Sequence, residues 1–284
     1  MQASLAAEQA ITAKIPYLRR DLERLRVDFT ARNLGEDLLD RRAETVRNGR
    51  IGRGGPSLDR EGFELIQHLC PVVDDRWDQL LSDYDAVNGS PMRLAYMDET
   101  IPVIRELSGA RDVFSADSST IRYSAVLQNK NAMTPAMWAH FDFDSGETER
   151  QLNDILPTIG FEPEPYSRFV LYQAWRSLSP PPQDFPLAMC DGRTVTGADV
   201  VPIEYHKEVD GRDVIYWSSG ARYSPHHRWW FYPDMTPEEM LVFKGYDSEL
   251  GDSLKTLHVA IENPTQDRVV PRISIETRYF ALFE

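Results

Sequence analysis

Apolar residues recur along the chain with two different spacings, and the change comes near residue 110. Upstream, Leu18, Leu22, Leu25 and Phe29 follow a helical repeat, and Ala6, Ala7 and Ala10 have high helix propensity. Residues 4–47 are therefore predicted to be helical, with Pro16 in a first turn or between two helices. Glycines at 49, 52, 54 and 55 then break the pattern. No strand precedes them and no phosphate-loop lysine follows, so 49–56 reads as a connector rather than a nucleotide loop. Ser57 is read as the cap of a helix to about residue 69, with Phe63, Ile66 and Leu69 on one face. Trp77, Leu80, Leu81 and Tyr84 predict another helix over 74–87, and Pro102 interrupts the segment 96–107.

Beyond residue 112 the period shortens. Ile121, Tyr123, Ala125 and Leu127 alternate as in a strand. Short apolar runs follow at 137–143, 168–176, 185–190, 214–217, 229–232, 240–244, 257–262 and 272–283, with one helix over 146–156 after a Ser145 cap. That many short strands predict a barrel or jelly roll. The expected class is α+β with a mainly β core. A double-stranded β-helix of cupin-like type would span residues 111–284 and a mainly helical N-terminal region residues 1–110, and both would form one domain. The helical region is expected to cover the barrel mouth or to build a homodimer interface.

Charge narrows the partners. Asp and Glu number 45 against 31 Lys and Arg, a net charge of −14, which argues against nucleic acid or an anionic membrane as the main partner. No run approaches the ~18 apolar residues of a membrane span, and the first residues lack a secretory pattern. Cys70 and Cys190 are isolated and read as buried thiols of a reducing compartment, so a cytoplasmic location is expected.

The informative chemistry is His140-Phe141-Asp142. On a strand, residues two apart share a face, so both ligating side chains point the same way. With a distant histidine they make the two-His, one-carboxylate set that non-haem Fe(II) oxygenases use, with positions left open on the metal. His258, in an apolar run, is the first choice for the third ligand, and His227 is the alternative. His206 and His68 are read as solvated or packed. Arg272 lies 14 residues beyond His258, close enough in a hairpin to return beside the metal. Its planar fork suits a carboxylate such as the remote end of 2-oxoglutarate, with Arg278 in reserve.

In order, His140-Phe141-Asp142, Tyr172 to Arg176, Pro186 to Asp191, His227 to Phe231, Phe243 to Ser248, His258 and Arg272 to Arg278 resemble a family of fungal and bacterial natural-product hydroxylases and desaturases. That family includes asperthecin- and cercosporin-pathway oxygenases, the novofumigatonin endoperoxide synthase and a cephalosporin methoxylation component. The resemblance covers roughly residues 115–284. It implies an Fe(II)- and 2-oxoglutarate-dependent dioxygenase of secondary metabolism, taking O2 and a small natural-product or amino-acid-derived substrate. His140, Asp142 and His258 would hold iron and Arg272 the 2-oxoglutarate. Gln173 stands where the family pattern has asparagine, and Gln173 and Arg176 are placed near co-substrate or substrate. Trp138 and Trp230 are the candidates for a substrate pocket. Two other readings remain: a metal-binding barrel without redox turnover, and a non-catalytic partner of another biosynthetic enzyme.

Overall fold

The computed structural model describes residues 9–28, 34–52, 54–73, 76–82, 91–116, 119–128, 133–162, 165–209, 211–263 and 268–284. The first third is not mainly helical. Strands β1 (Ala10–Leu18), β2 (Leu25–Asp28), β3 (Leu39–Asn48) and β4 (Phe63–Gln67) occupy most of the region expected to be helix. In β1 the buried residues Ile11, Ala13 and Ile15 alternate with exposed Thr12 and Lys14. This period of two prevails over alanine's helix propensity once a sheet is available to receive it. Leu18 and Leu25, which shared a predicted helical face, lie in different strands. Ala6, Ala7 and Phe29, included in the same expectation, lie outside the described residues. Around Ser57 the chain makes a turn, with the N–H groups of Arg60, Glu61 and Gly62 all donating to the Ser57 carbonyl.

Two helices of this region do form. α1 (Trp77–Ser82) covers some of the predicted 74–87 segment, whose residues 74, 75 and 83–87 lie outside the described residues. α2 (Pro91–Ser108) runs straight through Pro102. Next come β5 (Asp112–Ser115) and β6 (Thr120–Tyr123); Ala125 and Leu127 lie in a 3-10 turn rather than in the predicted strand.

From here the strands run β7 (His140–Phe141), β8 (Arg168–Ser177), β9 (Leu187–Cys190), β10 (Val200–Val209), β11 (Arg212–Ala221), β12 (Trp229–Phe231), β13 (Glu239–Asp247), β14 (His258–Ala260) and β15 (Ile273–Phe283), and all but one overlap the expected runs in order. β10 was not predicted. Between β7 and β8 stands α3 (Ser145–Thr158), capped by Asp144 rather than Ser145, since the Asp144 carboxylate accepts from the Glu147 N–H at 2.7 Å.

One sheet has the order β1-β3-β12-β9-β14-β7-β11-β10-β2, and the other β4-β13-β8-β15-β5 with β6 also on β15. The chain crosses between them at β7/β8/β9 and again at β12/β13/β14/β15, the winding of a double-stranded β-helix. Their inner faces meet in a layer that includes Trp175, Leu187, Met189, Leu241 and Phe243. The nine-stranded sheet also curls. The Ala139 N–H donates to the Pro16 carbonyl at 2.8 Å, and Leu18 bridges Arg222. β1 thus returns to the strands around β7, and its Ile11, Ile15 and Tyr17 pack with Phe141, Trp229 and Val259 in a second core. Both cysteines are buried and free. No helix among the described residues is long and apolar enough to cross a membrane.

Candidate metal centre

β7 is two residues long, yet its neighbours hold it on both sides. His140 pairs with His258 of β14 and with Gly220 of β11, and Phe141 pairs with Ser219. Strand alternation sends Phe141 into the second core and turns His140 and Asp142 to the opposite face. There the Asp142 carboxylate Oδ1 lies 3.6 Å from His140 Nε2 and 3.9 Å from His258 Nε2. One ligand atom from each of the three residues falls within a 4.8 Å span.

The imidazoles are oriented by the same device. His140 Nδ1–H donates to the Trp138 carbonyl at 2.8 Å and His258 Nδ1–H to the Thr256 carbonyl at 3.1 Å. In each ring that leaves the Nε2 lone pair facing the centre, the tautomer a metal ligand needs. Burial, and then the neighbouring His140, push the pKa of His258 down to about 4, so its ring is neutral and able to ligate at neutral pH. Burial alone would raise the Asp142 pKa. The Arg278 guanidinium beside it outweighs that effect and holds the carboxylate well below its usual range. The donor set, two imidazoles and one carboxylate, fits a divalent transition metal.

The charged network beyond Asp142 comes from alternate residues of β15. Arg272, Ser274, Glu276 and Arg278 occupy every second position, the parity expected of one strand face. Arg278 donates to Asp142 Oδ2 at 3.1 Å and to Glu276 at 3.0 Å. Arg122, opposite on β6, makes a two-pronged pair with Glu276 at 3.1 and 3.2 Å. Sequence reasoning singled out neither Arg122 nor Glu276. The available signal was the common parity of Arg272, Glu276 and Arg278 along one run.

Arg272 is 1% exposed. It lines a narrow cavity together with His140, His258, Trp175, Arg122 and Glu276. One donor reaches the Phe185 carbonyl at 2.7 Å, the guanidinium lies 5.4 Å from the centre of the Trp175 ring, and its Nε has no hydrogen-bond partner among the described residues. Burial, then the like charge of Arg122, lowers its pKa to about 9. A buried cation with an unused donor beside two imidazoles is suited to an anionic ligand. A second cavity, of about 420 Å³, opens on the Asp142 side and is lined by Arg122, Arg278, Glu276, Tyr216 and the Glu147 and Arg150 face of α3.

Other candidates fall elsewhere. His227 is buried against Tyr17, 3.3 Å from its hydroxyl, with Asp199 at 3.6 Å, and does not belong to the cluster. Arg176 projects from the face of β8 opposite Gln173 and Trp175. Its donors go to Tyr96, to the His68 ring and to the carbonyls of His68 and Pro237. It therefore braces the sheet against α2 instead of reaching co-substrate or substrate. Gln173 does reach the centre, where its side-chain amide donates to Asp142 Oδ2. The Trp138 ring lies 5.6 Å from that of His140, but Trp138 packs with Leu25, Val201 and Ile203. Trp230 packs near Trp175 and Leu187 under Arg47, and neither tryptophan lines the two cavities.

Similarity to known proteins agrees with this geometry. The chain is 24% identical over 269 residues to the hydroxylase/desaturase CTB9 of Cercospora beticola, covering 87% of this chain and 79% of that protein. It is 31% identical over 233 residues to the Fe(II)/2-oxoglutarate-dependent dioxygenase nvfI of Aspergillus novofumigatus, covering 77% of this chain and 78% of that one. The solved structure of the iron and alpha-ketoglutarate-dependent endoperoxidase NvfI superposes with a TM-score of 0.78 at 20% identity, covering 97% of this chain and 98% of that one. This likeness shows the same fold. The model of the oxidoreductase/YMDC permease-like domain matches residues 21–282. The chain therefore belongs to the oxidoreductase/YMDC permease-like domain family, and to the same family as the fungal dioxygenase nvfI.

Proposed function

We propose that this protein is an Fe(II)- and 2-oxoglutarate-dependent oxygenase that hydroxylates, desaturates or oxidatively cyclises a small natural-product or amino-acid-derived substrate. The observation that carries the reading is the convergence of His140, Asp142 and His258 within 4.8 Å, with both Nδ1 atoms tied to backbone carbonyls. These three residues would hold the iron. When bound, iron and 2-oxoglutarate supply the oxidising power of O2 at a substrate carbon, with 2-oxoglutarate leaving as succinate and carbon dioxide.

The protein's role is binding, orientation and exclusion of water. Arg272 offers its unused donor to the remote carboxylate of 2-oxoglutarate in the narrow cavity, where Trp175 and Phe243 form apolar walls. Arg122 and Glu276 line both cavities and Arg278 the larger one, and the Arg122–Glu276–Arg278 chain holds the charges between them in fixed positions. The larger cavity beside Asp142 receives the substrate, and α3 forms its far wall. The chain acts as a single oxygenase domain. β1 and β3 are members of the same sheet as the two histidine-bearing strands.

The test is an anaerobic titration of the Fe(II)-loaded protein with 2-oxoglutarate, following the visible metal-to-ligand charge-transfer band. A saturable band is expected. Bound iron without a band would reject 2-oxoglutarate as co-substrate, and a chain that takes up no iron would favour a non-catalytic partner role.

A further inference from the structure

We infer that Gln173 is a positioning residue for the metal carboxylate, holding Asp142 so that only one of its oxygens faces the metal position. The inference rests on the iron reading above and deepens it. A carboxylate has two equivalent oxygens and a broad terminal torsion, so left to itself it can offer a metal either one oxygen or both. The choice matters here. Three protein donors on an octahedral ion leave three positions, enough for a two-point co-substrate and O2, and a second carboxylate oxygen would remove one of them.

Asp142 is not left to itself. Its Oδ2 accepts from the Gln173 amide and from Arg278 Nη2 at 3.1 Å. Two donors occupy both lone pairs of that oxygen. Oδ1 is left facing the two Nε2 atoms, at 3.6 and 3.9 Å. Gln173 is 3% exposed and is placed by register between Phe243 of β13 and Arg278 of β15. Its orientation has a second, independent support. The pairing of β13 with β8 shifts register at Gly245. A Cβ on Gly245 would lie 2.9 Å from Gln173 Oε1 and 3.2 Å from a Leu171 methyl. The missing side chain makes room for the carbonyl end of the amide, so that the NH2 end points at Asp142.

The test is a titration of the intact, metal-free protein with Co(II) in the absence of 2-oxoglutarate, reading affinity and the visible d–d spectrum, with thermal midpoints alongside. Gln173→Ala is expected to raise the Co(II) Kd by about tenfold or more and to change the d–d band. Gln173→Glu keeps the size but turns an acceptor toward a carboxylate, and is expected to be at least as impaired. Gly245→Ala should shift the same band, and its effect should vanish in a Gln173→Ala background. Wild-type affinity and spectrum in Gln173→Ala would overturn the inference; if a second titration of the Co(II) protein with 2-oxoglutarate then showed weaker binding, Gln173 would be a co-substrate contact. A lowered thermal midpoint with an unchanged spectrum would overturn it in favour of plain packing. A wild-type chain that takes up no Co(II) would overturn the metal reading itself, and this one with it.

Discussion

Single side chains carry the sharpest expectations. His140→Ala, Asp142→Ala and His258→Ala should each lose stoichiometric Fe(II), measured as metal content after anaerobic loading and desalting. His227→Ala should keep it, since His227 packs on Tyr17 in the second core. Retained iron in any of the three, or its loss in His227→Ala alone, would contradict the assignment. Arg272→Ala should leave Fe(II) binding in place and weaken 2-oxoglutarate by roughly ten- to a hundredfold, the equivalent of about 1.5–3 kcal/mol for a charge-assisted contact. The charge-transfer titration reads it directly. At this scale much of the site was legible in the sequence, because the spacing of His140 and Asp142 follows from strand geometry alone. The same parity rule separates Gln173 and Trp175 from Arg176, which leaves the site on the other side of β8. The choice between His258 and His227 was not legible. His258 lies in an apolar run and His227 just before one, and only the pairing of β14 with β7 brings one of them to Asp142.

At the scale of elements, glycines set how closely the segment before β14 approaches its neighbours. Gly62 has a φ of +92°, and a Cβ there would lie 2.7 Å from the Leu254 carbonyl. A Cβ on Gly192 would lie 2.7 Å from the Leu254 Cα. Backbone cannot yield as a flexible side chain does. Gly192→Ala should therefore cost about 1–3 kcal/mol and, by displacing the run that delivers His258, weaken iron binding. Urea unfolding and metal titration of the same preparation check both; an unchanged iron affinity would show that β14 is placed independently of this contact. Elements were read unevenly from the sequence. Strands from β7 onward were legible because apolar runs between turn residues are short. β1 was misread because alanine and leucine spacing suits a helix as well as a strand, and the alternation Ile11, Ala13, Ile15 is only a few residues long. β10 has buried Val201, Ile203 and Tyr205 alternating with more exposed Pro202, Glu204 and His206, a weak pattern that its pairing with β11 completes.

For the whole molecule, the buried ionisable groups predict how stability responds to acid. Burial lowers the pKa of His258 to about 4, as it does for His68, where Arg176 adds to it. In the unfolded chain both rings titrate near 6.5. Between those values the unfolded chain binds protons that the folded chain refuses. Metal-free stability should hold above about pH 6.5 and fall as the pH drops toward 4. Asp142 and Glu276 are held below their usual values mainly by Arg278 and Arg122, against the opposing effect of burial. Their stabilisation is present above the ordinary carboxylate range and is lost as the pH falls further. Urea midpoints at pH 7.5, 6.5, 5.5 and 4.5 would trace the first fall. A flat profile across that window would mean that the histidines are protonated in the folded state.

Local chemistry and strand period were enough to foretell a β-rich barrel and to put His140 and Asp142 on one face, because these depend on residues one or two positions apart. What the tertiary structure decided depends on register between strands distant in the sequence. It set His258 across from His140, Gln173 beside Arg278, and β1 closed against the strands around β7. Such pairings are selected by the packing of whole sheets, which no local pattern encodes.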